Sequence, residues 1–136
     1  MSRTRYELIQ TFIAEAGENL ELFGRLLAVY GGEKTIEDQN YELYRLAHSV
    51  RGSALSLGLV NTAQAARIGE HHLQDYLFES TPIEKDELAA LDRWSKLLKA
   101  MIMGYETGDL SEIAAIEELE KLFATLERQP GDGDDD

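Results

Sequence analysis

Apolar residues recur along the chain in steps of three and four. The first stretch places Ile9, Ile13, Ala16, Leu20, Phe23, Leu27 and Tyr30 in this rhythm, the stripe of a helix that packs in a bundle seam. A later stretch repeats it with Leu88, Leu91, Trp94 or Ser95, Leu98 and Ile102, and a last one with Ile113, Ile116, Leu119, Leu122, Phe123 and Leu126. Between them, with Leu43 set at zero and a turn of about 100° per residue, Leu46, Ala47, Val50, Ala54 and Leu57 fall within about 60° of one line, so a second helix has a buried face too. No segment alternates with period two for long enough to read as a strand.

The punctuation between these stripes agrees. A capping residue followed three positions later by an acid or amide occurs at Thr4 with Glu7, Thr35 with Asp38, Asn61 with Gln64, Thr81 with Glu84, and Asp109 with Glu112. Pro82 follows Thr81 at the expected first helical position, where its missing N–H is no loss. Gly31 and Gly32, Gly58, Gly108 and Pro130 mark the stops. These signals predict five helices with short connections, hence antiparallel neighbours: an all-α, antiparallel four-helix bundle with a fifth helix packed on it. The 136 residues fit one domain, expected over 1–129, with residues 130–136 as an acidic flexible tail or linker.

Charge narrows the partners. The net charge is −13, and the chain stays acidic without its terminal "GDGDDD", so it repels phosphate backbones and anionic lipid; nucleic acid is not an expected partner. There is no cysteine, which removes thiol chemistry and Cys-based zinc sites. The opening "MSRTRYELIQTF" is soon interrupted by acids, so neither a signal peptide nor membrane insertion is expected, and a cytoplasmic location is the default.

Candidate chemistry lies on the far side of the second helix, in "LAHSVRGSALSLG" at residues 46–58. His48 lies about 140° from the buried line, with Tyr44, Arg51 and Leu55 on its side. A neutral imidazole is a good nitrogen nucleophile and holds a phosphoryl group as a phosphoramidate that is still reactive enough to pass on. Arg51, three residues along, is within reach of the charge of such a group. Gly52 costs about 1 kcal/mol relative to alanine in a helix, so the space it leaves has a local reason. A surface histidine beside an arginine is ordinarily a solvated pair, and a helical glycine marks a tight helix crossing as readily as partner access; the residues alone leave both readings open. His71 and His72 are adjacent and point about 100° apart, so they do not share a metal ion, and no metal site is expected.

The stretch "LYRLAHSVRGSALSLGL" resembles the phosphoacceptor motif of histidine-containing phosphotransfer (HPt) domains, and "TFIAEAGENLELF" is similar to the opening helix of the N-terminal phosphotransfer domain of CheA-type chemotaxis histidine kinases. The resemblance implies that His48 is the residue phosphorylated by a kinase ATP-binding domain, and that Gly52 and Gly58 match the family's glycines. Arg51 stands where the family usually has lysine. Glu70 matches an acid that accepts a hydrogen bond from the phosphoacceptor ring, which would hold the proton on Nδ1 and leave Nε2 free. Arg67 stands where these kinases often have a second histidine; it is expected either to pair with Glu70 or to add a cation near the site.

The resemblance further implies a phosphocarrier of two-component signalling that passes its phosphoryl group to an aspartate of a CheY-like receiver domain. Docking is expected around Tyr44, Arg45, Arg51, Gly52 and Leu55. The domain has no glycine-rich phosphate loop and no catalytic centre of its own, so ATP and Mg²⁺ are expected to belong to the partner domains. A standalone relay protein, or a helical interaction module without phosphotransfer, are the alternatives to the first domain of a larger kinase.

Overall fold

The structure is a computed structural model that describes residues 3–107 and residues 120, 121, 123 and 124. The described residues contain four long helices and no strand: α1 Arg3–Ala28, α2 Ile36–Ser56, α3 Val60–Glu79 and α4 Lys85–Thr107. Each packs on its sequence neighbour, and α4 returns to α1, closing a four-helix ring whose most extensive seam is α2 against α3. None of these helices is long and apolar enough to cross a membrane.

The α1 stripe is buried as its spacing predicts, with Ile13, Ala16, Leu20, Phe23 and Leu27 in the core; Ile9 and Tyr30 are half-buried, and Tyr30 lies beyond the end of the helix. The expected cap Thr4 instead lies inside the helix. The Thr35 signal holds: its hydroxyl accepts from the Asp38 N–H at 3.1 Å, and Glu37 and Asp38 complement the positive end of α2. The stripe of α2 is buried at Leu43, Leu46, Ala47, Val50 and Ala54, with Leu57 half-buried. On α4, Trp94 and Ser95 are both buried, and the Trp94 indole N–H donates to the Ala65 carbonyl at 2.9 Å. The Trp94 ring occupies the space a Cβ on Gly69 would need, so α3 and α4 meet closely only because residue 69 has no side chain.

Two further expected helix starts are displaced. Helix α3 begins at Val60 with Leu59 as its cap and no side-chain cap bond, so Asn61 lies inside the helix. The turn before it is the reason. The Leu59 N–H reaches the Ala54 carbonyl at 2.9 Å and the Gly58 N–H reaches Leu55 at 3.0 Å, with Gly58 at φ 75°, a Schellman closure that feeds α3 directly. Helix α4 begins at Lys85, after Pro82, and the Glu84 carbonyl accepts from Glu87 and Leu88. Residues 81–84 run instead as a strap held by tertiary contacts. Buried Asn40 donates to the Thr81 carbonyl at 3.0 Å and accepts from the Tyr30 hydroxyl at 2.6 Å, which in turn accepts from the Ile83 N–H at 3.0 Å. With Ile83 drawn into the core, these bonds outweigh the local proline signal.

Most of the expected fifth helix lies outside the described residues, with its start at Asp109 and Glu112, the stops at Gly108 and Pro130, the stripe residues Ile113, Ile116, Leu119, Leu122 and Leu126, and residues 130–136. Glu120, Lys121, Phe123 and Ala124 are helical, and Phe123 is buried against His72, ring centres 4.6 Å apart.

Candidate functional site

Helices α2 and α3 form a hairpin about a minimal link, and its register brings the site together. His48 and Glu70 stand equally far on either side of Leu59, so antiparallel packing sets them level with each other. Glu70 is buried, its side chain only 5% exposed, while the imidazole of His48 is 53% exposed. His48 Nδ1 lies 2.6 Å from Glu70 Oε2. The Arg51 Nε–H donates to the other oxygen, Oε1.

The charge balance fixes the roles. Burial opposes ionisation of Glu70, but the hydrogen bonds from His48 and Arg51 and the positive charge of Arg51 outweigh it, holding the carboxyl below the usual glutamate range. An ionised carboxylate only accepts, so the Nδ1 that faces it carries the proton. The second ring nitrogen, Nε2, then keeps its lone pair on the exposed side. Tyr44, one turn earlier on α2, stacks on the ring with centres 5.7 Å apart and planes 19° from parallel. The imidazole is thereby held at its inner nitrogen and on one face.

The remaining predicted residues take different places. Nothing lies within 4 Å of a Cβ built on Gly52, and the position is exposed, so this glycine serves no tight helix crossing; it leaves open surface one turn beyond His48. Arg45 and Leu55 are exposed on the same side of α2. Arg51 turns inward to Glu70 rather than outward. Arg67 is exposed and makes no ion pair with Glu70, whose oxygens are taken by His48 and Arg51; it lines a polar cleft with Arg51, Glu70, His71 and Gln74.

Spacing on one helix missed two features. The double occupation of Glu70 joins α2 to α3, and the Tyr44 stack depends on rotamers. The equal offsets of His48 and Glu70 from Leu59 are the signal that places the acid. Among the described residues no group of three or more His, Asp or Glu side chains is arranged to hold a metal ion.

A bundle that presents one histidine from the side of α2, backed by a buried acid on α3, corresponds to a known family, and the Hpt domain model matches residues 7–105. The chain belongs to the Hpt domain family. As an Hpt domain it is of the class of histidine phosphocarriers that work with kinases and response regulators in two-component phosphorelays. The matched span of this Hpt domain contains His48, Arg51, Gly52, Arg67 and Glu70. No curated protein matches closely enough to add to the assignment.

Proposed function

We propose that His48 is the phosphoacceptor of this Hpt domain. The observation that carries the reading is the 2.6 Å bond from Nδ1 to a buried carboxylate beneath an exposed ring. The Nε2 lone pair attacks the γ-phosphorus of ATP bound in a separate kinase domain, the bond to the β,γ-bridging oxygen breaks, and ADP leaves. As the N–P bond forms, positive charge on the ring is met by Glu70, which accepts from the Nδ1–H throughout. In the second step a carboxylate oxygen of a receiver aspartate attacks the same phosphorus, and the electrons of the N–P bond return to Nε2.

Arg51 acts through Glu70, holding it in place for the ring. Gly52 gives a partner backbone room to approach, and Tyr44, Arg45 and Leu55 form the docking surface around the ring. ATP and Mg²⁺ belong to the partner domains, and the domain is substrate and carrier rather than catalyst. The similarity of "TFIAEAGENLELF" to the opening of CheA-type kinases supports a place as the phosphotransfer domain of a cytoplasmic chemotaxis-type kinase, with a CheY-like receiver as acceptor. The test is incubation with a CheA-type kinase domain and γ-labelled ATP. Acid-labile, base-stable label that disappears in His48→Gln is the expected result, and label that persists in that variant overturns the assignment.

A further inference from the structure

The polar cleft behind the site has donors that the phosphoacceptor does not use. It encloses about 310 Å³ and is lined by Arg51, Arg67, Glu70, His71 and Gln74. Arg67, His71 and Gln74 stand at i, i+4 and i+7 on α3 and so form one stripe, while Arg51 approaches from α2. All four side chains offer N–H donors. The acid in the cleft, Glu70, already has one oxygen facing His48 and the other facing Arg51.

The surroundings reinforce this polarity. Glu70 is the sole acid in residues 43–73 of a chain that carries 26 of them. In the lining of this cleft two guanidinium groups stand against one carboxylate, a local positive balance that suits an anion, while Glu120 lines the neighbouring cleft that Arg67 and His71 also border. Arg67 has no hydrogen bond or ion pair among the described residues, and its planar fork matches the oxygens of a phosphate. His48 does not line the cleft. Its Nδ1 faces Glu70, so its Nε2 points away from that carboxylate.

We propose that this cleft is a second oxyanion site, distinct from the phosphohistidine position. It takes a tetrahedral phosphate group on Arg67, with His71 and Gln74 as further donors and Arg51 on the opposite wall. The group is either free phosphate or the terminal phosphate of a nucleotide. This goes beyond the phosphoacceptor reading and is independent of it, because the binding needs Arg67 and not His48.

The test is an NMR titration of the isotope-labelled full chain at constant ionic strength, with inorganic phosphate in one arm and Mg²⁺-free ADP in the other. Saturable shifts at Arg67, His71 and Gln74 are expected, with a midpoint on the order of millimolar. The affinity should fall about tenfold in Arg67→Ala and less in Arg67→Lys, which keeps the charge but loses the fork. His48→Gln should leave it unchanged. A lower midpoint for ADP than for phosphate identifies the nucleotide as the source, and an equal or higher one identifies free phosphate. Shifts that fail to saturate in both arms, or saturation that Arg67→Ala leaves intact, overturn the proposal. No phosphotransfer is measured, so this result and the His48 labelling test fail separately.

Discussion

Among the described residues there are two histidine–glutamate pairs, and they are built differently. At His48 the ring is exposed and the carboxylate buried, at 2.6 Å, with Arg51 holding the second oxygen. At His72 the ring itself is buried, packed between Tyr76 and Phe123, and its Nε2 lies 3.6 Å from Glu87. The first arrangement leaves a nitrogen accessible to a second molecule while fixing the other. The second spends its imidazole on packing between α3, α4 and the helical residues around Phe123. Two pairs of the same residue types thus do different work, because the ring is exposed in the first and buried in the second.

The largest effect that separates them is on labelling. His48→Gln should abolish phosphorylation by a kinase domain, whereas His72→Gln should retain it; equal loss in both, with circular dichroism unchanged, would break the contrast. Stability should move the other way. Phe123→Ala, which uncovers His72, is expected to cost about 3 kcal/mol in urea denaturation, and His48→Ala less than about 1 kcal/mol because its ring is half in solvent.

Next in size is the acid. Glu70→Ala should slow phosphorylation of His48 by about tenfold to a hundredfold with the bundle intact, while Glu87→Gln leaves the rate near that of the parent. The same carboxyl gives a pH signature. Its folded value is depressed, so its stabilising contribution is complete above the pKa of an unfolded glutamate and is lost as pH falls through the lower folded value. The stability gap between the parent and Glu70→Gln should therefore be full at neutral pH and close only in acid below the ordinary carboxylate range. A gap that closes at the ordinary glutamate value removes the bridge from the account. The smallest effect is at Gly52: alanine there should raise stability by about 1 kcal/mol, since nothing stands where its Cβ goes, and a bulky residue should slow transfer to the receiver without unfolding the chain.

What was legible in the sequence was what neighbours along the chain decide. The α1 stripe, the Thr35 cap and the stop at Gly58 are each settled within a few residues, and each appears where its spacing puts it. Pro82 misled because the start of α4 is decided by Tyr30 and Asn40, which are distant in sequence and hold residues 81–83 as a strap. Asn61 misled because the hairpin turn left no room for a separate cap. Within the site, the outward face of His48 followed from helical periodicity, but Glu70 came from resemblance alone. The inward turn of Arg51 was hidden for the same reason, since its partner is on another helix.

The three-residue link between α2 and α3 has a consequence for how this chain tolerates change. A residue inserted at 57–59 would disrupt the bonds by which the Gly58 and Leu59 N–H groups close the end of α2, and with them the tight turn that sets α3 level with α2. The level placement of Glu70 with His48, and of Gly69 under Trp94, depends on that turn. Length at this one turn is therefore under tighter constraint than the identity of most residues on the surface, and a relative with an altered hairpin would need its acid at a different position on the third helix to serve the same histidine.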